Sequence, residues 1–333
     1  MGMKSRAFVL LGAALLAAAC ARPVKTARLS PLDPPSMTEN QAALAVKNRR
    51  CNPLLALAVP GLGHMCLRRD AEAAGFAAVA AGEIAAATAI IVTHDDDPST
   101  LVEEEPPVTA PLTALQDLWI YGVVDALFTT EMARGKLYTP QDTPVDLVAA
   151  PFNWEVMKRP TVWAGILGAL AVGIGVSLAI DQPGTEEVGD DPKLFGKRVD
   201  GRWGYPAAGA MTWGLFSHVA IAEDALFRGW LQSSIARSRG ETVGWGIASL
   251  AFGAVHLGNL SAIEREDWDE YLLYGMPVIT AAGFYLGWQY RHEGYSLAPP
   301  VAVHFWYDTI LSAVIFALDP DDNFFTTKFS MPF

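Results

Sequence analysis

The sequence predicts an all-α fold: a polytopic membrane bundle of about eight transmembrane helices behind an N-terminal signal peptide. Three observations predict it. Hydrophobic residues make up 51% of the 333 positions and charged ones only 18%, where soluble domains run near a quarter charged. Mean hydropathy is +0.23. Several apolar stretches exceed the eighteen residues that a helix needs to cross a bilayer. The net charge of −12 comes without any basic run, which argues against a nucleic-acid partner.

The elements follow in chain order. Lys4 and Arg6 precede an apolar run, Ala7 to Ala19, that ends at Cys20. It is too short to span comfortably and reads as a signal peptide, residues 1–20. The small residues before Cys20 resemble a bacterial lipoprotein signal, in which that cysteine is acylated and becomes the new N-terminus. An uncleaved anchor with an incidental cysteine is the other reading. Residues 21–50 are Pro-rich and polar and read as a linker. Cys20, Cys51 and Cys66 form neither a metal-type nor a disulfide framework.

Apolar spans then recur near 52–67, 71–93, 111–131, 161–180, 206–230, 243–259, 271–290 and 297–318. The first is short and broken by "PGLGH" at Pro60 to His64, whose glycines suit a broken helix or re-entrant turn. Residues 51–160 thus hold the N-terminal spans and this turn, and 161–333 the remainder. Basic loops (68–70, 134–159, 237–239, Arg291) alternate with acidic ones (94–105, 264–270, 319–322) and the mixed, carboxylate-rich 181–205. The positive-inside rule puts the basic set in the cytoplasm. Eight spans then begin and end outside, as a lipoprotein-type N-terminus requires. Glu83, Asp117 and Asp125 fall within spans two and three and read as interhelical hydrogen-bonding groups or wet helix ends, with a functional role as the alternative.

The chemistry concentrates later. In "AIAEDALFRGW", Asp224 and Arg228 stand at i and i+4 on one helix face, acid before base, the favourable order for a pair. Arg228 neutralises Asp224 and leaves Glu223 free; a solvated helix end is the bland alternative. "SLAFGAVHLGN" places Phe252 and His256 at i and i+4, and "APPVAVHFWYD" does the same for His304 and Asp308, just after prolines that suit a first helical turn. One carboxylate and two imidazoles, offered by three helices, suit the activation of water. In the assigned topology His256 sits nearer the outer face than the other groups, so either its span starts later or a helix is irregular.

These motifs, Glu-Asp-x-x-x-Arg, Phe-x-x-x-His and His-x-x-x-Asp in that order, resemble the signature of the CPBP (Abi, CAAX-protease-like) intramembrane proteases. The resemblance covers roughly 206–318, within a protease-type region at 161–333. The family usually has a second glutamate where this chain has Asp224, and commonly asparagine where it has Asp308. The resemblance implies peptide-bond hydrolysis within the membrane. Glu223 would act as general base on a water that His256 helps to hold. His304 would donate to the oxyanion, and Asp308 would orient His304 or position substrate. Asp224, Arg228 and Phe252 would support them. No cofactor is needed in this version; a second version holds a divalent metal such as zinc between Glu223, His256 and His304. The implied partner is a membrane protein or peptide, cut at a sorting signal or CAAX-like C-terminal tail, and the implied setting is the bacterial inner membrane. Bacteriocin self-immunity within the same family is the runner-up, and a non-proteolytic transporter using the intramembrane acids is the alternative from another class.

Overall fold

The computed structural model describes residues 51–93, 108–133, 137, 142–180, 191–195, 197–261, 263 and 265–318. Cys20, the signal peptide and the linker at 21–50 lie outside the described residues. Among the described residues, seven long helices carry the fold: α1 (Asp70–Thr93), α2 (Thr109–Ala133), α3 (Pro160–Ile180), α4 (Gly201–Asp224), α5 (Glu241–Val255), α6 (Met276–His292) and α7 (Ala298–Leu318). The strands described are one antiparallel pair, Lys193–Leu194 with Lys197–Arg198. The expected all-α architecture is therefore what forms.

Among the described residues, Asp70–Val92 and Glu241–Ser261 are long and apolar enough to cross a membrane, and Pro160–Gly175 is a shorter apolar helix. The segment 52–67 differs from expectation. It folds into two five-residue helices, Pro53–Leu57 and Leu62–Cys66, rather than a span. Asn52 caps the first by accepting from the Leu54 amide, and Gly61 separates them in a left-handed conformation at φ 88°. A side chain at Gly61 would also stand 2.5 Å from the Ala73 carbonyl oxygen, so the turn fits only glycine. The turn brings Cys51 and Cys66 together as a disulfide with Cα atoms 5.5 Å apart. This corrects the expectation of no disulfide framework: the pairing depends on the turn's path, which the spacing of two cysteines does not specify.

Packing follows the small residues. On α1 the buried positions are Ala73, Phe76, Ala80 and Ala87, one stripe at helical spacing, while Val79, Ile84, Ile91 and Val92 stay exposed and apolar. An all-round apolar helix with one packed stripe suits a helix with lipid on its other side. Helix α4 sits against α2 and α7, and α5 lies along α6. At Gly283 an added Cβ would meet the Phe252 ring at 2.9 Å, so this glycine permits the close α5–α6 approach. Trp245 and Ser249 on α5 fasten that contact by donating to the Phe284 and Gly283 carbonyls.

Candidate active site

Helix α4 starts at the Asp200 cap, which accepts from the Arg202 amide, and runs to Asp224. There the helix widens into a π-helical stretch, Ala225–Gln232, before continuing as Ser233–Arg239. Such widened turns concentrate at functional sites because they re-aim side chains without ending the helix. Gly229 lies in this stretch, where a Cβ would press on the Phe128 ring at 2.6 Å.

Asp224 is wholly covered and uses both oxygens. Oδ1 lies 3.2 Å from Arg228 Nη1, and Oδ2 lies 3.2 Å from His304 Nδ1. The i,i+4 pair expected from sequence is thus formed. Arg228 is itself buried, with its guanidinium 4.1 Å from the Phe252 ring centre, a cation–π contact. Phe252 also packs against His256 and edge-on against His304, at 4.7 and 6.0 Å between centroids. The phenylalanine of the second motif is therefore a wall shared by the guanidinium and both imidazoles.

His256 follows the end of α5, where the chain tightens into a 3-10 turn, His256–Ser261. Its Nδ1 lies 2.8 Å from the Phe252 carbonyl oxygen. That oxygen only accepts, so Nδ1 carries the proton and Nε2 presents its lone pair. Tyr271 donates to the His256 carbonyl at 2.8 Å, and Asn259 donates to the Tyr271 hydroxyl, bracing the turn. Helical irregularity, one of the two readings of His256's depth, is present in this turn and in the π stretch that follows α4.

His304 sits two turns into α7. The start of that helix is fixed from a distance by Asp142, which accepts from Ser296 Oγ and from the Leu297 and Ala298 amides. Pro299 and Pro300 have no amide hydrogen to satisfy. Burial pushes the Asp142 carboxyl up, against the pull of the hydrogen bonds from Leu297 and Ser296. Sequence reasoning missed Asp142, because nothing local marks a cap that arrives from 155 positions away.

Three helices converge on one atom. Glu223 Oε2 lies 3.7 Å from His304 Nε2 and 4.0 Å from His256 Nε2, and Asp308 Oδ2 lies 3.4 Å from His304 Nε2. Oε2 is buried and has no direct hydrogen-bond partner, although the Glu223 side chain as a whole is a quarter exposed. All four residues named from sequence for the chemistry are brought together. One role shifts: Asp224, expected only to pair with Arg228, also holds the far nitrogen of His304, and Asp308 faces the near one.

Of the other intramembrane acids, Asp117 on α2 is buried and lies within the electrostatic reach of Glu223 and His304. Asp125 is elsewhere, gripped by His64 at 2.8 Å and Arg69 at 2.7 Å. Glu83 is half-buried on α1, which carries no motif residue.

The spacing also tests a metal. Ligand atoms around a tetrahedral zinc stand about 3.3 Å apart, given bonds near 2.0–2.1 Å. The distances to Oε2 here are longer, and among the described residues no group of three or more His, Cys, Asp or Glu side chains is placed to hold an ion. The residues as arranged do not fit the metal version.

Among the described residues, a helical fold with apolar helices and a carboxylate–imidazole centre where three of them meet is the class that fold and site define. Residues 206–310 match the family model described as "Type II CAAX prenyl endopeptidase Rce1-like". Over those residues, from α4 to the middle of α7, the chain is similar to the CAAX-protease-like family, as the three motifs indicated. That family is one of membrane-associated peptidases. No curated protein and no solved structure matches the chain.

Proposed function

We propose that this protein is an intramembrane endopeptidase that hydrolyses a peptide bond with a Glu223-activated water. The observation that carries the reading is the convergence of Glu223, His256 and His304 on one point. A water donating to two acceptors at ordinary hydrogen-bond lengths holds them about 4–4.5 Å apart. The Glu223 Oε2 to His256 Nε2 distance of 4.0 Å suits that bridge better than it suits a direct bond.

In this mechanism the water gives one proton to Glu223 and donates the other to the lone pair of His256. Its oxygen attacks the scissile carbonyl carbon. Both ring nitrogens of His304 face carboxylates, so both are set to donate, and Nε2–H serves the developing oxyanion. Glu223 then passes its proton to the leaving amine as the C–N bond breaks. Asp224 orients His304, Arg228 balances Asp224, and Asp308 flanks the oxyanion position. The substrate is a membrane-associated protein or peptide cut near a C-terminal sorting or CAAX-like sequence, and the setting is a bacterial inner membrane with the N-terminus lipidated at Cys20.

The test is Glu223→Gln in cells, with membrane proteomics for uncut precursors and cleavage of the recovered candidate by purified enzyme. Loss of general-base catalysis lowers the rate by roughly 10²–10⁴-fold. Cleavage that survives the substitution at wild-type rate ends the assignment.

A further inference from the structure

The refolding of 52–67 into a turn changes the parity of the chain. With that segment not crossing, the seven long helices leave residues 51–69 and the end of α7 on opposite faces. Side-chain contacts tie one face together. His64 and Arg69 reach Asp125, in the C-terminal half of α2. Asp142 caps α7, Arg159 and Thr161 bind Glu293, and Arg291 binds Glu241 at the start of α5. This face carries the Cys51–Cys66 disulfide.

Two expectations from sequence now conflict. Counting Lys and Arg puts this face in the cytoplasm. The N-terminal signal, with Lys4 and Arg6 ahead of its apolar run and no apolar span between Cys20 and Cys51, puts it outside. The disulfide decides between them, because glutathione and thioredoxin keep cytosolic thiols reduced, whereas the periplasm makes and preserves such bonds. Four of the basic residues that opposed this are paired on the spot: Arg69 with Asp125 and Glu72, Lys158 with Glu155, Arg159 with Glu293 and Arg291 with Glu241.

We infer that the disulfide-bearing face lies outside the cytoplasm, and that the acidic loops at 94–105, 264–270 and 319–322 lie inside it. This reverses the orientation that loop charge predicts. It rests on the long helices crossing a bilayer and not on proteolysis, so a failed cleavage assay leaves it standing.

The experiment uses the full chain in spheroplasts, a membrane-impermeant reductant and a membrane-impermeant maleimide, with labelled cysteines located by peptide mapping. Cys51 and Cys66 of the wild-type chain should be unreactive at first and should label after the external reductant. A Ser99→Cys variant, in the acidic loop between α1 and α2, should label only after lysis. Free Cys51 and Cys66 thiols before reduction, or their failure to label after it, overturns the inference. So does labelling of Ser99→Cys in intact spheroplasts.

Discussion

Replacing Arg228 by leucine separates the structural half of the acidic pair from the chemical half. Arg228 is buried beside Asp224 at 3.2 Å and against Phe252, and its removal leaves the Asp224 charge without its guanidinium. Breaking a buried pair from one side costs about 3–5 kcal/mol. The lost cation–π contact adds about 0.5–2 kcal/mol. Against a total stability of about 5–15 kcal/mol, this is enough to lower the yield of folded protein. Replacing both partners, Asp224→Leu with Arg228→Leu, removes the orphaned charge and should recover most of the loss, since apolar replacement of a buried pair is often neutral. Thermal unfolding in detergent measures the three variants. Cleavage gives the second readout. The double variant should fold yet stay poorly active, because His304 has lost the carboxylate at Nδ1. If Arg228→Leu costs under about 1 kcal/mol, or the double variant is no more stable than the single, Arg228 does not serve to balance Asp224.

Two further outcomes follow. Asp142→Ala should destabilise by about 1 kcal/mol as a lost cap, and the raised Asp142 carboxyl gives it a pH signature. The folded chain holds that proton more tightly than the unfolded one, so this group's contribution falls as pH rises from the ordinary aspartate range through the raised value. Asp142→Asn should flatten that slope in detergent melts, and an unchanged slope refutes the argument. Asp117→Leu should lower kcat more than it changes KM, because Asp117 is buried and electrostatically coupled to Glu223 and His304. An effect on KM alone would place Asp117 in substrate binding instead.

What the sequence made legible was whatever depends on helical period. Asp224 with Arg228, Phe252 with His256, and His304 with Asp308 are each set by neighbours four positions apart, and a helix brings such positions to one face; Glu223 was legible only as the acid left over beside the first pair. What escaped depends on how helices meet. The π stretch at Ala225–Gln232 leaves no periodic trace in eight residues. Asp142 and Asp117 act on residues far along the chain, so local pattern gave them no partner. The segment 52–67 has the composition of a span, but Pro53, Pro60 and the left-handed Gly61 fold it into a turn. That same turn joins Cys51 to Cys66, so one misread element hid two features.

The adjacent acids at 223 and 224 show how a charged site persists among apolar helices. A buried carboxylate is costly unless its lone pairs are filled. Asp224 comes closer to that condition: His304 hydrogen-bonds Oδ2, and Oδ1 has the Arg228 guanidinium at 3.2 Å as an ion pair without a hydrogen bond. Glu223, a single residue earlier, meets it only in part: its Oε2 faces two imidazole nitrogens at 3.7 and 4.0 Å and bonds to neither. The helix turns about 100° between them, so one points into the packed interior and the other toward the meeting point of α4, α5 and α7. The buried acid therefore fixes the imidazole that its neighbour needs, and the neighbour stays unsatisfied at the one atom where a base is useful. Exchanging the two acids, Glu223→Asp together with Asp224→Glu, would put the longer side chain where no space remains and the shorter one out of reach of His256. That swap should abolish cleavage although charge and composition are unchanged, and retained cleavage would show that the placement of each acid along the helix does not matter.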